Sequence, residues 1–119
     1  MRQRGLALAA FFFIAGSVLL NGSVSAAETV KGEVVDLACY MGHGASGSGH
    51  QSCAQKCMDS GLPVGIKTTD GLVIAIGSEH STANSSLRAL AGKNVSAEGA
   101  VSSRDGVKMI AIQKVTAEE

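Results

Sequence analysis

Three cysteines, Cys39, Cys53 and Cys57, and two histidines, His43 and His50, fall within one short stretch of the chain. The third histidine, His80, stands apart from it. On an α-helix, residues three and four apart share a face. His50, Cys53 and Cys57 are related by steps of three and four, so a helix beginning by His50 sets all three on one side. Cys39 ends an apolar, strand-like segment. The intervening run, Gly42 to Gly49, is rich in Gly and Ser and lets the chain fold back. Three thiols and one imidazole can then meet, which is the ligand set of a closed tetrahedral zinc site. Soft thiolates equally suit copper(I) or an iron–sulfur centre. His43 is the alternate ligand, and Met41 and Met58 are spare ligands in the same region.

Two other chemistries use the same residues. A disulfide from Cys39 to Cys53 or Cys57 would close a loop of about 14 to 18 residues, worth roughly 3 kcal/mol. Three is an odd number, so one thiol would remain over, free, metal-bound or used between chains. A thiol redox role is the other choice. It lacks the Cys-x2-Cys dithiol spacing, and the Cys-x2-Cys-His of covalent haem attachment is absent too. Asp36 and Asp59 flank the cysteines. They are expected to be solvated surface acids, with the alternative of supporting a ligating histidine from behind. Tyr40 is expected to cover the core or the thiols, and His80 to lie on the surface or at a helix cap. No acid–base set accompanies the thiols, so the residues point away from an enzyme.

The elements that must position these groups read as five strands and two helices. Thr29 to Ala38, with Val30, Val34, Val35 and Leu37, reads as the first strand. A helix is expected from about His50 to Ser60, stopped by Gly61 with Pro63 shortly after. Val64 to Thr68 and Leu72 to Ile76 form strands joined at Asp70-Gly71, a hairpin signal. Ser81 or Thr82 can cap a helix over Thr82 to Ala91, ended by Gly92. Val95 to Val101 and Val107 to Val115 flank a turn at Arg104-Asp105-Gly106.

Strand, Cys-bearing insertion, two strands, helix, two strands: this order, with Gly92 and Gly99 and the passage from Leu90 to Gly99, resembles the small exported OB-fold domains. The resemblance implies a mainly β, five-stranded OB-like barrel with two short helices and a Cys/His-bearing helical insertion (residues 39–61) after the first strand. The Cys-x3-Cys pair Cys53/Cys57 also resembles that of the exported copper-delivery proteins for cytochrome oxidase. Those have a thioredoxin-like fold, which this chain is too short to complete.

The ends and the composition set the compartment. Arg2 and Arg4 precede an apolar run from Gly5 to Leu20, followed by small and polar residues as far as Ala26. That is the layout of a secretory signal, with the cut expected after Ala26 or Ala27. The run is shorter than the roughly 20 apolar residues a spanning helix needs. No membrane anchor is therefore expected after cleavage, and a periplasmic or secreted location follows. Residues 28–119 are left as a single domain, a size at which a metal or disulfide staple is useful. Phe11, Phe12 and Phe13 would leave with the signal. Eight basic residues would then face ten acidic ones, with Tyr40 the sole aromatic. That balance argues against nucleic acid, which calls for a basic patch or aromatic platforms. The partner expected is instead an unidentified protein or a metal donor or acceptor.

Overall fold

The computed structural model describes residues 26–119. The expected signal segment, residues 1–26, lies outside the described residues save for Ala26. Among the described residues there are five strands: β1 (Glu28–Asp36), β2 (Val64–Thr68), β3 (Gly71–Ile76), β4 (Asn94–Arg104) and β5 (Val107–Ala117). They close into a barrel in the order β1-β2-β3-β5-β4, with β1 pairing both β2 and β4. The β3–β5 pairing is parallel and the others are antiparallel. This is the mainly β, OB-like barrel expected, with its third-to-fourth-strand connection helical and the Cys/His-bearing helices inserted after β1.

Alternation builds the barrel interior. Val95 and Ala97 of β4, Ile110 and Ile112 of β5, and Val73 and Ala75 of β3 point inward on every second residue. They pack with Val34, Val64, Ile66 and Leu87. The β4–β5 strands meet at a turn in which Asp105 and Gly106 both have positive φ, as a two-residue hairpin loop requires. At Glu98/Gly99 the β4–β5 register shifts by a bulge. There Gly99 lies so close to the Ala111 carbonyl that no Cβ would fit.

At the end of β1 the alternation fails: Val34, Val35 and Asp36 are buried in succession. Consecutive burial means both faces of the strand are covered, and the cover is the insertion. It consists of α1 (Leu37–His43), a 3-10 turn (Ser48–His50) and α2 (Gln51–Asp59). Ala54 and Met58 of α2 enter the same core as Leu87 and Ala91. Leu87 ends the short helix α3 (Asn84–Leu87), which runs on into a 3-10 turn (Arg88–Leu90).

Three local expectations are corrected. The first strand stops at Asp36 rather than Ala38, because the Asp36 side chain accepts the Cys39 N–H and starts α1. The segment read as loop is ordered in part: α1 reaches His43 before Gly44 ends it in the left-handed conformation, and Ser48–His50 makes a 3-10 turn. The helix expected over Thr82 to Ala91 is shorter and is capped by neither Ser81 nor Thr82. The Ser81 hydroxyl bonds the Ser78 carbonyl instead, and Thr82 bridges to Ile76. No helix among the described residues is long and apolar enough to cross a membrane.

Candidate metal centre

Two helices and one strand end carry the site. Asp36 is the last residue of β1 and is wholly buried, the one charged side chain so placed among the described residues. Its Oδ1 accepts the Cys39 N–H at 2.9 Å. Its Oδ2 lies 3.0 Å from His50 Nε2. One carboxylate thus ties the first turn of α1 to the residue that opens α2. Burial alone would raise its pKa. The hydrogen bonds from the Cys39 N–H and His50, with those of the Cys39 and Cys57 thiols, outweigh burial and hold it below the usual carboxylate value.

Cys39 sits in the first turn of α1. Its Sγ lies 3.8 Å from Cys57 Sγ on α2. All three cysteines are free thiols, Cys39 and Cys57 half-buried and Cys53 exposed. The expected donors fall into two overlapping triads rather than one cluster of four. The donor atoms of Cys39, His50 and Cys53 lie within 4.8 Å of one another, and so do those of Asp36, Cys39 and Cys57. Cys39 belongs to both. Burial, the Cys57 thiol and the Asp36 carboxylate push the Cys39 thiol up to about 12, and burial pushes Cys57 up as well. In the metal-free protein both are neutral thiols near pH 7. A bound ion must displace their protons.

Helical spacing explains the division of labour on α2. Ala54 and Met58 turn to the core on one stripe, while Cys53 and Cys57 form the stripe beside it and His50 stands at the cap just before the helix. The far end of α2 is fixed to the barrel's other helical segment. Asn84 Nδ2 donates to the Met58 and Leu62 carbonyls at 2.8 and 2.9 Å. The Arg88 guanidinium grips Asp59 through two hydrogen bonds and holds its carboxyl below the usual value. The loop before His50 is tied down too. The Gly47 N–H donates to the Glu33 carboxylate, and the Gly47 carbonyl abuts Gly92 so closely that a Cβ there would meet it at 2.5 Å.

Other expectations divide. His43 is exposed at the last turn of α1 and joins neither triad. Met41 is 71% exposed, and Met58, at 3% exposure, belongs to the core and is no spare ligand. Tyr40 is half-buried, with Lys67 Nζ 5.8 Å from the centre of its ring. Asp59 is exposed as expected. His80 is exposed, with a left-handed backbone. The correction that matters is Asp36, expected first on the surface and only alternatively behind a histidine: it is wholly buried and bonds His50. Its signal was a helix-capping residue type three positions before Cys39, at the end of an apolar strand. A surface cleft of about 360 Å³ near the start of β1 and the β2–β3 turn is lined by Lys31, Thr68, Asp70 and Lys108 among others; it holds none of the cysteines or histidines.

The chain matches no protein-family model, no curated protein and no solved structure. The case for function therefore rests on the geometry of these side chains.

Proposed function

We propose that the protein is exported and binds a thiophilic metal ion, zinc or copper(I), through Cys39, Cys53, Cys57 and His50 with Asp36, and that it serves metal handling or electron transfer outside the cytoplasm. The observation that carries this reading is the pair of donor triads sharing Cys39. The separation of Cys39 and Cys57 supports it. Two thiolates at about 2.3 Å from one tetrahedral zinc ion stand about 3.8 Å apart, the distance found here. Three thiols fall short of the four usual for an iron–sulfur cluster, which favours a single ion. The basic start and apolar run before Ala26 support export, and a cut after Ala26 or Ala27 would leave β1 whole.

The test is elemental analysis of protein purified without chelator, with a count of reactive thiols. About one zinc or copper per chain and protected thiols are expected, and Cys39→Ser, which removes a donor from both triads, should abolish uptake. Protein with no metal, which takes none when zinc or copper(I) is supplied, would refute the reading.

One observation favours a second reading, a binding module stapled by a disulfide. Cys39 and Cys57 face each other across α1 and α2, so oxidation would join them and leave Cys53 over. Peptide mapping that finds a Cys39–Cys57 disulfide in protein freshly prepared from the periplasm would favour that reading. Thiol redox chemistry is disfavoured, since reactive cysteines have lowered pKa values and those of Cys39 and Cys57 are raised.

A further inference from the structure

The two triads differ in their access to solvent. Cys53 is exposed, His50 keeps 17% of its side chain exposed, Cys39 and Cys57 are half-buried, and Asp36 is wholly buried. Cys39, His50 and Cys53 thus form an outer group, and Asp36, Cys39 and Cys57 an inner one. Because Cys39 is common to both, an ion can move from one group to the other without losing that sulfur.

Resting on the metal-binding reading above, we infer that the two triads are two stations for one d10 thiophilic ion, with Cys53 receiving it from solvent or from a donor and Cys39 carrying it inward to Cys57 and Asp36. Ligand exchange at such ions runs through intermediates in which the incoming and outgoing ligands are bound together. An exposed thiol can attack a donor-held ion from outside. A buried carboxylate and a half-buried thiol cannot reach it until the ion is already on the protein. Each thiol that joins the ion gives its proton to solvent, so the charge on the chain changes stepwise as the ion moves. One ion at a time is expected, since two would have to share Cys39 as a bridging thiolate and would repel each other at close range, with only two further donors apiece.

Cadmium(II) is a suitable probe, because it is redox-inert and its bonds to thiolate absorb in the ultraviolet. The full chain is mixed with cadmium chloride and followed by stopped-flow absorbance, and then challenged with a chelator. Wild type should bind one cadmium. Cys53→Ser, at an exposed position, should slow uptake roughly tenfold or more and change the rate of surrender to chelator less than it changes uptake. Cys57→Ser should show the reverse, surrendering cadmium to chelator roughly tenfold or more faster with a smaller change in the rate of uptake. A far-UV circular dichroism spectrum checks that each variant is folded. Uptake by Cys53→Ser at the wild-type rate, or two cadmium ions per wild-type chain, would overturn the two-station order while leaving metal binding in place. No cadmium on wild type would instead overturn the metal-binding reading itself.

Discussion

Replacing Asp36 tests how the site is held together, and it can be done with the metal removed by chelator. Asp36→Ala deletes the side-chain cap of α1, a loss of about 1 kcal/mol. It also leaves the His50 ring nitrogen without its buried partner, which costs roughly 1–3 kcal/mol. Removing a buried carboxylate recovers part of this, because its desolvation is no longer needed. The net expectation is a loss of about 1–3 kcal/mol. For a domain of this size each kcal/mol moves Tm by roughly 4–8 °C, so Tm should fall by about 5–20 °C. Asp36→Asn keeps an oxygen facing the Cys39 N–H and should lose only about 1 kcal/mol. The pH dependence separates charge from cap. The folded-state pKa of Asp36 is lowered, so its ionised form contributes stability above the ordinary carboxylate value. That contribution is lost as pH falls through the folded-state pKa. The gap between wild type and Asp36→Asn should therefore close in acid, while the gap between Asp36→Asn and Asp36→Ala persists. Urea unfolding at several pH values reads both. An Asp36→Ala variant within about 0.5 kcal/mol of wild type, or equal losses for Ala and Asn, would refute the reasoning.

Three further outcomes are expected. Near neutral pH, iodoacetamide should label exposed Cys53 first and Cys39 last, since the Cys39 thiol is pushed up to about 12; peptide mapping that finds Cys39 labelled first would contradict this. Gly92→Ala forces a left-handed residue with φ +73° to carry a Cβ against the Gly47 carbonyl. It should cost about 2–4 kcal/mol in urea unfolding and weaken metal uptake through the loop that leads to His50. After expression in a bacterium, intact-mass analysis of the periplasmic fraction should find a chain starting at Ala27 or Glu28; full-length protein confined to the cytoplasm would count against export.

What could be read beforehand was local. The β2 and β3 strands, the Asp105-Gly106 turn and the helix bearing Cys53 and Cys57 follow from patterns within a few residues and stand where expected, while the β2–β3 loop lies one residue earlier than expected, at Thr69-Asp70, with Gly71 already paired to Thr68 in β3. The approach of Cys39 to that helix was legible as permitted by the glycine-rich connection, but not its route through α1. Asp36 was legible only as an alternative, a carboxylate supporting a histidine, and its full burial was not, for a physical reason. A carboxylate belongs on the surface unless partners satisfy it, and its partners come from α1 and α2, which the sequence alone does not bring together. Met58 was misread by one step of the helix. As the neighbour of Cys57 it shares the region, but the next stripe faces the core. The second helix shortened because Ser85 and Ser86 are weak helix formers and packing, not propensity, decides a single turn.

The insertion is not an appendage to the barrel. The face of α2 adjoining the donors is in the core through Ala54 and Met58, and its ends are anchored by Asp36, Asn84 and Arg88. Donor positions and fold stability are therefore linked, and the linkage has a measurable consequence. An ion that binds the folded chain and not the unfolded one stabilises it by RT ln(1 + [L]/Kd), about 2.7 kcal/mol at a free concentration one hundredfold above Kd. The free energy of unfolding should rise by that amount when zinc is added under reducing conditions and return when chelator is added. The rise should vanish in Cys39→Ser. It should shrink in Asp36→Asn by more than that variant's own loss of stability, because the same carboxylate sets the spacing of α1 and α2. A rise of equal size in Cys39→Ser would mean the ion binds elsewhere on the chain, and the triads would have no claim to it.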